Sequence, residues 1–360
     1  MSCWKKVFGE VQELKENTLA KSRQICRLAA LLHDTGHSCF SHAAETVFHP
    51  DAKHESLTVL LMKSQEHLKP ILEDEYFPQC AELTADLIQP DPQRSIPQIR
   101  ILRDIISGQV DADRTDYLLR DSHHCGVDYG RFDYRRLIEC LSVWQNEYSG
   151  ELEMAIGADG IHSFESLILA RHQMNTQVYY HRLRLIYDLY LKNYFLDQDR
   201  DKFDTPEKVL RWNDIRAMQE IFTAAEQNGS PGHQWAKRIV DRSHHRDVFS
   251  IDEGSGIAAL KNAKITYDKI KAEFTDIDFI ADLRDKPVNI HKILRPEDQD
   301  DGIGFPMIRR GAKSALGQRS LILKTLPKSF RIGVLFADTK EKAKRKEIGS
   351  RCRAIFQELN

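Results

Sequence analysis

Long apolar runs are missing from this chain: no stretch approaches the roughly 20 residues that cross a bilayer, and residues 1–20 lack the apolar centre of a secretion signal. A membrane-spanning or exported protein is therefore not expected, and a cytoplasmic location is. A surplus of either charge is missing too. Lys and Arg number 52 against 54 Asp and Glu, a formal net charge of −2. No global field argues for a nucleic-acid or acidic-membrane partner, so local basic clusters must supply any phosphate binding. Paired cysteines are also missing. The seven (Cys3, Cys26, Cys39, Cys80, Cys125, Cys140 and Cys352) show no C-x-x-C spacing and are odd in number, which argues against a disulfide framework and for reduced thiols. No segment repeats.

What is present is a chain of 360 residues, 41% hydrophobic and 29% charged, long enough for one large domain and a smaller one. Apolar residues recur at spacings of three and four over 7–20, 22–32, 56–62, 81–87, 99–106, 114–119 and a long run 161–195, which predicts amphipathic helices. Pro90, Pro92 and Pro97 break the chain between two of these. Residues 142–156 alternate weakly around Gly150, as a hairpin inserted on a helical scaffold would. The polar stretch 197–202 marks a boundary, and helices are expected beyond it over 206–225 and 234–242, interrupted by 227–232. Later, 279–283, 303–308 and 332–337 read as short strands, and a helix over 339–358 follows, its basic run 340–353 being a solvated face. The expected fold is mainly α: an all-helical core over 1–196, a helical extension over 197–275, and a smaller α+β C-terminal region over 276–360.

The chemistry is concentrated in a few places. An apolar helical run from Leu28 ends abruptly in His33, Asp34, His37 and His42. Adjacent imidazole and carboxylate, with another imidazole four positions on, suit a divalent metal, and a hydrophobic core does not ask for them. His33 and His37 share one face if the helix continues that far. His54 and Glu55 open another apolar helix. In 110–121, Asp113, Tyr117 and Asp121 form an i, i+4, i+8 ladder with Arg114 beside its first member. Carboxylate, guanidinium and phenol on adjoining faces could contact metal, phosphate and sugar in turn. A plainer reading of the same acidic residues, as favourable charges at a helix N-terminus, stands equally. Cys39 reads as a small buried apolar residue. His49, His67, His162, His172, His233, His244, His245 and His291 lack ligand-like partners at suitable spacing and read as surface or satisfied core residues. His123 and His124 follow the ladder and are weighed as pocket residues.

Together these elements resemble the HD superfamily of metal-dependent phosphohydrolases, and within it the deoxynucleoside triphosphate triphosphohydrolases, including the branch that carries a SAM domain in animals. The resemblance covers His33 to Phe195 well and the C-terminal third loosely. It implies that His33, Asp34 and Asp113 ligate a divalent metal (Mn, Mg, Fe, Co or Zn). His37 and His42 would face the α-phosphate and the leaving 5′ oxygen, and His54 and Glu55 match the catalytic pair. Arg114 matches a phosphate contact, while Tyr117 and Asp121 match residues that hold the deoxyribose 3′ hydroxyl. Arg171 and Tyr179 match a phosphate contact and a sugar-packing tyrosine. The implied substrate is a deoxynucleoside triphosphate (dGTP or several such nucleotides), and the implied partners are further copies of the chain and a nucleotide activator, with no membrane or nucleic acid. One departure is plain: the family's first ligand, a histidine in an upstream Glu-His-Ser-Leu-Gly setting, has no counterpart before His33. Three ligands predict weak metal binding; either the chain is N-terminally incomplete or its start is wrong, or the protein has lost that ligand. Two further readings stand beside the first: another HD phosphohydrolase acting on a monophosphate or signalling nucleotide, and a catalytically silent nucleotide-binding or subunit-interaction protein.

Overall fold

The computed structural model describes residues 16–45, 53–89, 99–145, 152–290, 305–310 and 312–360. The expectations for Gly150, His49, His291, the prolines at 90–97 and most of the helix over 7–20 lie outside these residues. The fold is mainly α with a minor α+β part. It resolves into two compact units, each assembled from separated stretches: 1–37, 53–178 and 291–326 in the first, 38–52, 179–290 and 327–360 in the second.

In the first unit, the helix Glu16–Leu32 buries two adjoining stripes. Ile25, Cys26 and Ala29 pack with Leu87, Ile101, Leu102 and Ile106, whereas Leu28 packs with Met62, Leu72, Cys80, Ala81 and Ala85. Positions i, i+1, i+3 and i+4 give a wide apolar face. This helix is therefore wedged between Ile99–Ser107 on one side and His54–Lys63 and Lys69–Glu75 on the other, with Cys80–Ile88 touching both clusters. Each fully buried aliphatic side chain there contributes about 1.5–3 kcal/mol.

The helix Ala112–Cys125 starts at Asp111, whose side chain accepts the Arg114 backbone N–H, and stops at Gly126 in the left-handed conformation (φ 66). There the Val127 N–H returns to the Ser122 carbonyl at 3.0 Å, a closure that favours glycine because a Cβ is disfavoured at that φ. The expected hairpin forms from Leu141–Gln145 and Leu152–Gly157, antiparallel with Leu141 opposite Ile156. Its second strand also pairs in parallel with Pro306–Arg309, which pairs in turn with Ala312–Ala315, so the sheet has four strands.

The long helix expected over 161–195 is two helices, Ile161–Met174 and Arg182–Leu196, joined through the π-helical turn Asn175–Tyr179. Nothing in the composition of 175–181 breaks a helix. The break comes from His181, which takes an extended backbone and accepts the Leu183 N–H on its own ring at 3.2 Å, capping the second helix. The run 206–225 splits likewise into Pro206–Leu210 and Asp214–Glu226, because the Asn213 side chain caps the second by accepting the Arg216 N–H at 2.9 Å.

The second unit is built on a three-stranded antiparallel sheet in the order Arg246–Ser250, Gly333–Ala337, Phe279–Leu283. The central strand is buried along its whole length, which explains its unbroken apolar sequence. Ala263 and Ile270 of the helix Ile257–Glu273 pack into this core with Ile348, Cys352 and Ile355 of Lys342–Glu358, against Val248, Phe249 and Leu335. Among the described residues no helix is long and apolar enough to cross a membrane.

Candidate metal centre

The helix Glu16–Leu32 ends where Thr35 captures the Leu32 carbonyl with both its backbone N–H (3.0 Å) and its hydroxyl (2.8 Å). The helix therefore does not continue to His37, and the expectation of a shared helical face gives way to a turn, closed by the His37 N–H on the Asp34 carbonyl at 3.0 Å. The turn still brings the side chains together. Asp34 Oδ1 stands 3.3 Å from His33 Nε2 and 3.5 Å from His37 Nε2. Asp113 Oδ1 approaches His33 Nε2 from the other side at 3.4 Å, although some eighty positions separate the two in sequence.

The neutral His33 ring has one tautomer available here. Its Nδ1 faces the Ala30 carbonyl at 3.0 Å and must donate to it, which leaves the Nε2 lone pair pointing at two carboxylates. Nε2 is buried and makes no well-formed hydrogen bond. The Asp113 carboxylate beside it holds the imidazole up at about 9 against the opposing effect of burial, with Asp34 adding to the pull. Burial works to raise the Asp34 carboxyl, but the His37 hydrogen bond and the imidazoles of His33, His37 and His54 outweigh it and hold the group below its ordinary value. A site that draws a cation this strongly fits a divalent metal: one ligand atom each from His33, Asp34 and Asp113 lies within 4.8 Å of the others. One imidazole nitrogen and two carboxylate oxygens suit Zn, Mn, Fe or Co, and with fewer nitrogens Mg.

Asp113 is free for this role because Asp111 takes the other one. Asp111, 2% exposed, caps the helix by accepting the Arg114 N–H at 2.7 Å, and its second oxygen binds the Arg114 guanidinium, which also reaches the Gly108 carbonyl. Burial pushes the Asp111 carboxyl up to about 6 although Arg114 pulls it down. The helix-capping reading of the acidic run thus belongs to Asp111, a residue the sequence argument did not single out. An Asp three positions before an Arg at a helix start was the available signal.

His37 lies flat against His54, ring centroids 4.2 Å apart and planes 13° from parallel, and His54 Nε2 is 3.3 Å from Glu55 Oε1. Burial raises the Tyr117 phenol above its ordinary value while the charges of Arg171 and Arg114 pull it down and those of Asp111 and Asp113 add to the rise. Arg114 and Arg171 are each 8% exposed. Asp121 is half-buried one turn beyond Tyr117 on the same helix. His123 and His124 are exposed at the end of that helix, edge to face with each other, and share no metal-capable group with His33. Two further expected residues belong to the second unit. His42 begins the short helix His42–Glu45, paired with Glu45 at 2.9 Å, and Tyr179 ends the π-helical turn. Cys39 is buried, its thiol pushed up to about 12 by burial. His67, His162 and His233 each have a local partner, Ser64, Glu165 and the Ala224 carbonyl.

The chain is 37% identical over 162 residues to the uncharacterised protein YwfO of Bacillus subtilis, covering 44% of this chain and 34% of that protein. It is 24% identical over 377 residues to the deoxynucleoside triphosphate triphosphohydrolase SAMHD1 of Gallus gallus, covering 89% of this chain and 60% of that protein. It thus spans less than two thirds of either relative. A solved structure of a hypothetical protein from Aquifex aeolicus shares the fold, with a TM-score of 0.72 at 23% identity over 96% of this chain and 83% of that one. Residues 10–118 match the HD domain and residues 132–347 the HD associated region, so the chain belongs to the HD-domain family.

Proposed function

We propose that the first unit is a metal-dependent phosphohydrolase that cleaves a deoxynucleoside triphosphate, dGTP or several such nucleotides, into a deoxynucleoside and inorganic triphosphate. The observation that carries this reading is the meeting of His33, Asp34 and Asp113, with the charges of Asp113, Arg114 and Arg171 all reaching Tyr117. The similarity to SAMHD1, whose name states that substrate class, supports the choice of nucleotide.

His33, Asp34 and Asp113 would hold a divalent cation, which when bound would supply charge neutralisation for the phosphoryl group and lower the pKa of a bound water. Arg114 commits one guanidinium nitrogen to Asp111 and Gly108, and its other donors suit phosphate oxygens, as do those of Arg171. His54, with Glu55 at 3.3 Å, is placed to orient a water and accept its proton. His37, held flat against His54, offers a donor to the phosphate. Tyr117 provides an aromatic wall for the sugar, and crowding at the 2′ position excludes a ribose hydroxyl. The same resemblance supports a homo-oligomer, which sedimentation velocity tests.

Incubation of the purified chain with each deoxynucleoside triphosphate and manganese or magnesium, followed by chromatography, tests the proposal. Equimolar deoxynucleoside and triphosphate are expected. Orthophosphate from a deoxynucleoside monophosphate control, with no triphosphate from any substrate, would point instead to another HD nucleotide phosphohydrolase. No product at all contradicts the hydrolase reading.

A further inference from the structure

Thr58 belongs to none of the groups considered so far, yet it sits between them. It lies in the first half of the helix His54–Lys63 and is wholly buried. A helical threonine commonly returns its hydroxyl to the carbonyl four residues back. Here the hydroxyl goes elsewhere: Thr58 Oγ1 donates to the His33 carbonyl at 2.7 Å and accepts the Gly36 N–H at 2.9 Å. These two backbone groups are the ends of the turn that carries Asp34. The His33 carbonyl falls past the end of its helix and has no partner within it.

Gly36 makes the approach close enough for both bonds. A Cβ at that position would lie 2.3 Å from the Thr58 nitrogen and from the His54 carbonyl oxygen, so any side chain would push the turn off the helix. With glycine there, the turn rests directly on the backbone that bears His54 and Glu55. The two consequences are measurable: His37 stacks on His54 at 4.2 Å, and Asp34 Oδ1 falls between His33 and His37.

We propose that Thr58 is a positioning residue, whose hydroxyl locks the His33–His37 turn to the His54–Glu55 helix so that the metal ligands and the acid–base pair keep one fixed geometry. For the metal this rests on the reading of the site given above. For the His33–His37 turn and the His54–Glu55 helix it rests on geometry alone. Valine at position 58 preserves the shape but leaves the Gly36 N–H and the His33 C=O without the hydroxyl that pairs them, whereas serine keeps both bonds and loses only a methyl group.

The test compares Thr58→Val, Thr58→Ser and the parent chain, labelled with 15N-histidine and free of metal, in long-range 1H–15N spectra assigned with His37→Gln and His54→Gln. The His33, His37 and His54 resonances of T58S should superimpose on the parent and those of T58V should move. Cobalt titration adds the metal readout: affinity should fall about 10–100-fold in T58V, with an altered visible absorption spectrum, and recover in T58S. If T58V does not fold, T58S decides, because a histidine spectrum displaced from the parent overturns the role of the hydroxyl. Unchanged T58V spectra, or equal losses in T58V and T58S, overturn it as well. If Asp113→Asn leaves cobalt affinity untouched, the metal reading fails, and the metal-free spectra still decide the role of Thr58.

Discussion

Asp111 and Asp113 are two residues apart and chemically identical, and the fold gives them opposite tasks. Asp111 is sealed in, capping its helix and holding Arg114, whereas Asp113 faces His33. Loss of the Asp111 cap alone costs about 1 kcal/mol. Loss of its charge also leaves the Arg114 guanidinium buried without a carboxylate, a cost of about 3 kcal/mol or more. Asp111→Ala should therefore lower unfolding free energy by the sum of both effects and Asp111→Asn by clearly less, as urea titration will read. Asp113→Asn should remove metal binding and, because Asp113 is the main group holding the His33 imidazole up at about 9, should also lower the stability of the metal-free chain near neutral pH. Gly36→Ala should cost about 3 kcal/mol, since the added methyl meets backbone that cannot yield. His33 and Asp34 stood out in the sequence because such groups are rare at the end of an apolar helix, whereas Asp113, in the first turn of a later helix, was joined to them only through the family resemblance. Thr58 was not legible there, because it acts through backbone groups that only the folded turn brings to it, and Asp111 was passed over although its local spacing to Arg114 was visible.

Helices and strands show a different boundary between the readable and the hidden. The helix Ile257–Glu273 lies in the stretch expected to be helical but received no bounds of its own, because its buried positions include Ala263 and Thr266 among many lysines and the apolar stripe is faint. The central strand Gly333–Ala337 was plain, its apolar run needing no partner to recognise it, and Leu335→Ala there should cost about 3 kcal/mol by thermal or urea unfolding. The break after the π-helical turn was hidden, since it depends on His181 turning back on its own backbone. A pH dependence belongs to this second unit. His245 is buried, with the Tyr190 hydroxyl at 2.6 Å from Nδ1. That hydroxyl already accepts the His245 backbone N–H at 2.8 Å, so it donates to Nδ1, and Nε2 carries the ring proton toward Asp278 at 3.1 Å. Burial, aided by the Arg238 charge, holds the ring below the ordinary 6.5 in spite of Asp278. The unfolded chain therefore takes up the proton first. Stability from this residue is full above about pH 6.5 and is lost as pH falls below it. Melting temperature should decline on acidification through that range, and the decline should be shallower in His245→Gln.

Across the whole chain, sequence order and spatial order part company. The strands Pro306–Arg309 and Ala312–Ala315 and the helix Leu321–Thr325 belong to the first unit, which carries the histidine and aspartate constellation, and local periodicity cannot show which distant strand a segment will join. Phe305 packs on Phe164 at 5.2 Å, and Ser320, at the N-cap of the last of these helices, binds the buried Glu165 carboxylate. Phe305→Ala should cost about 3–5 kcal/mol and Ser320→Ala about 1–3 kcal/mol, and the loss should register in the unfolding of the first unit, followed by hydrogen exchange. The proposed function depends above all on a divalent cation held by His33, Asp34 and Asp113. Calorimetric titration of manganese into the chain and into His33→Ala and Asp113→Asn tests it most directly. One manganese per chain is expected to bind, with binding lost in both variants. Equal binding in all three proteins, or none in the parent chain, would contradict it.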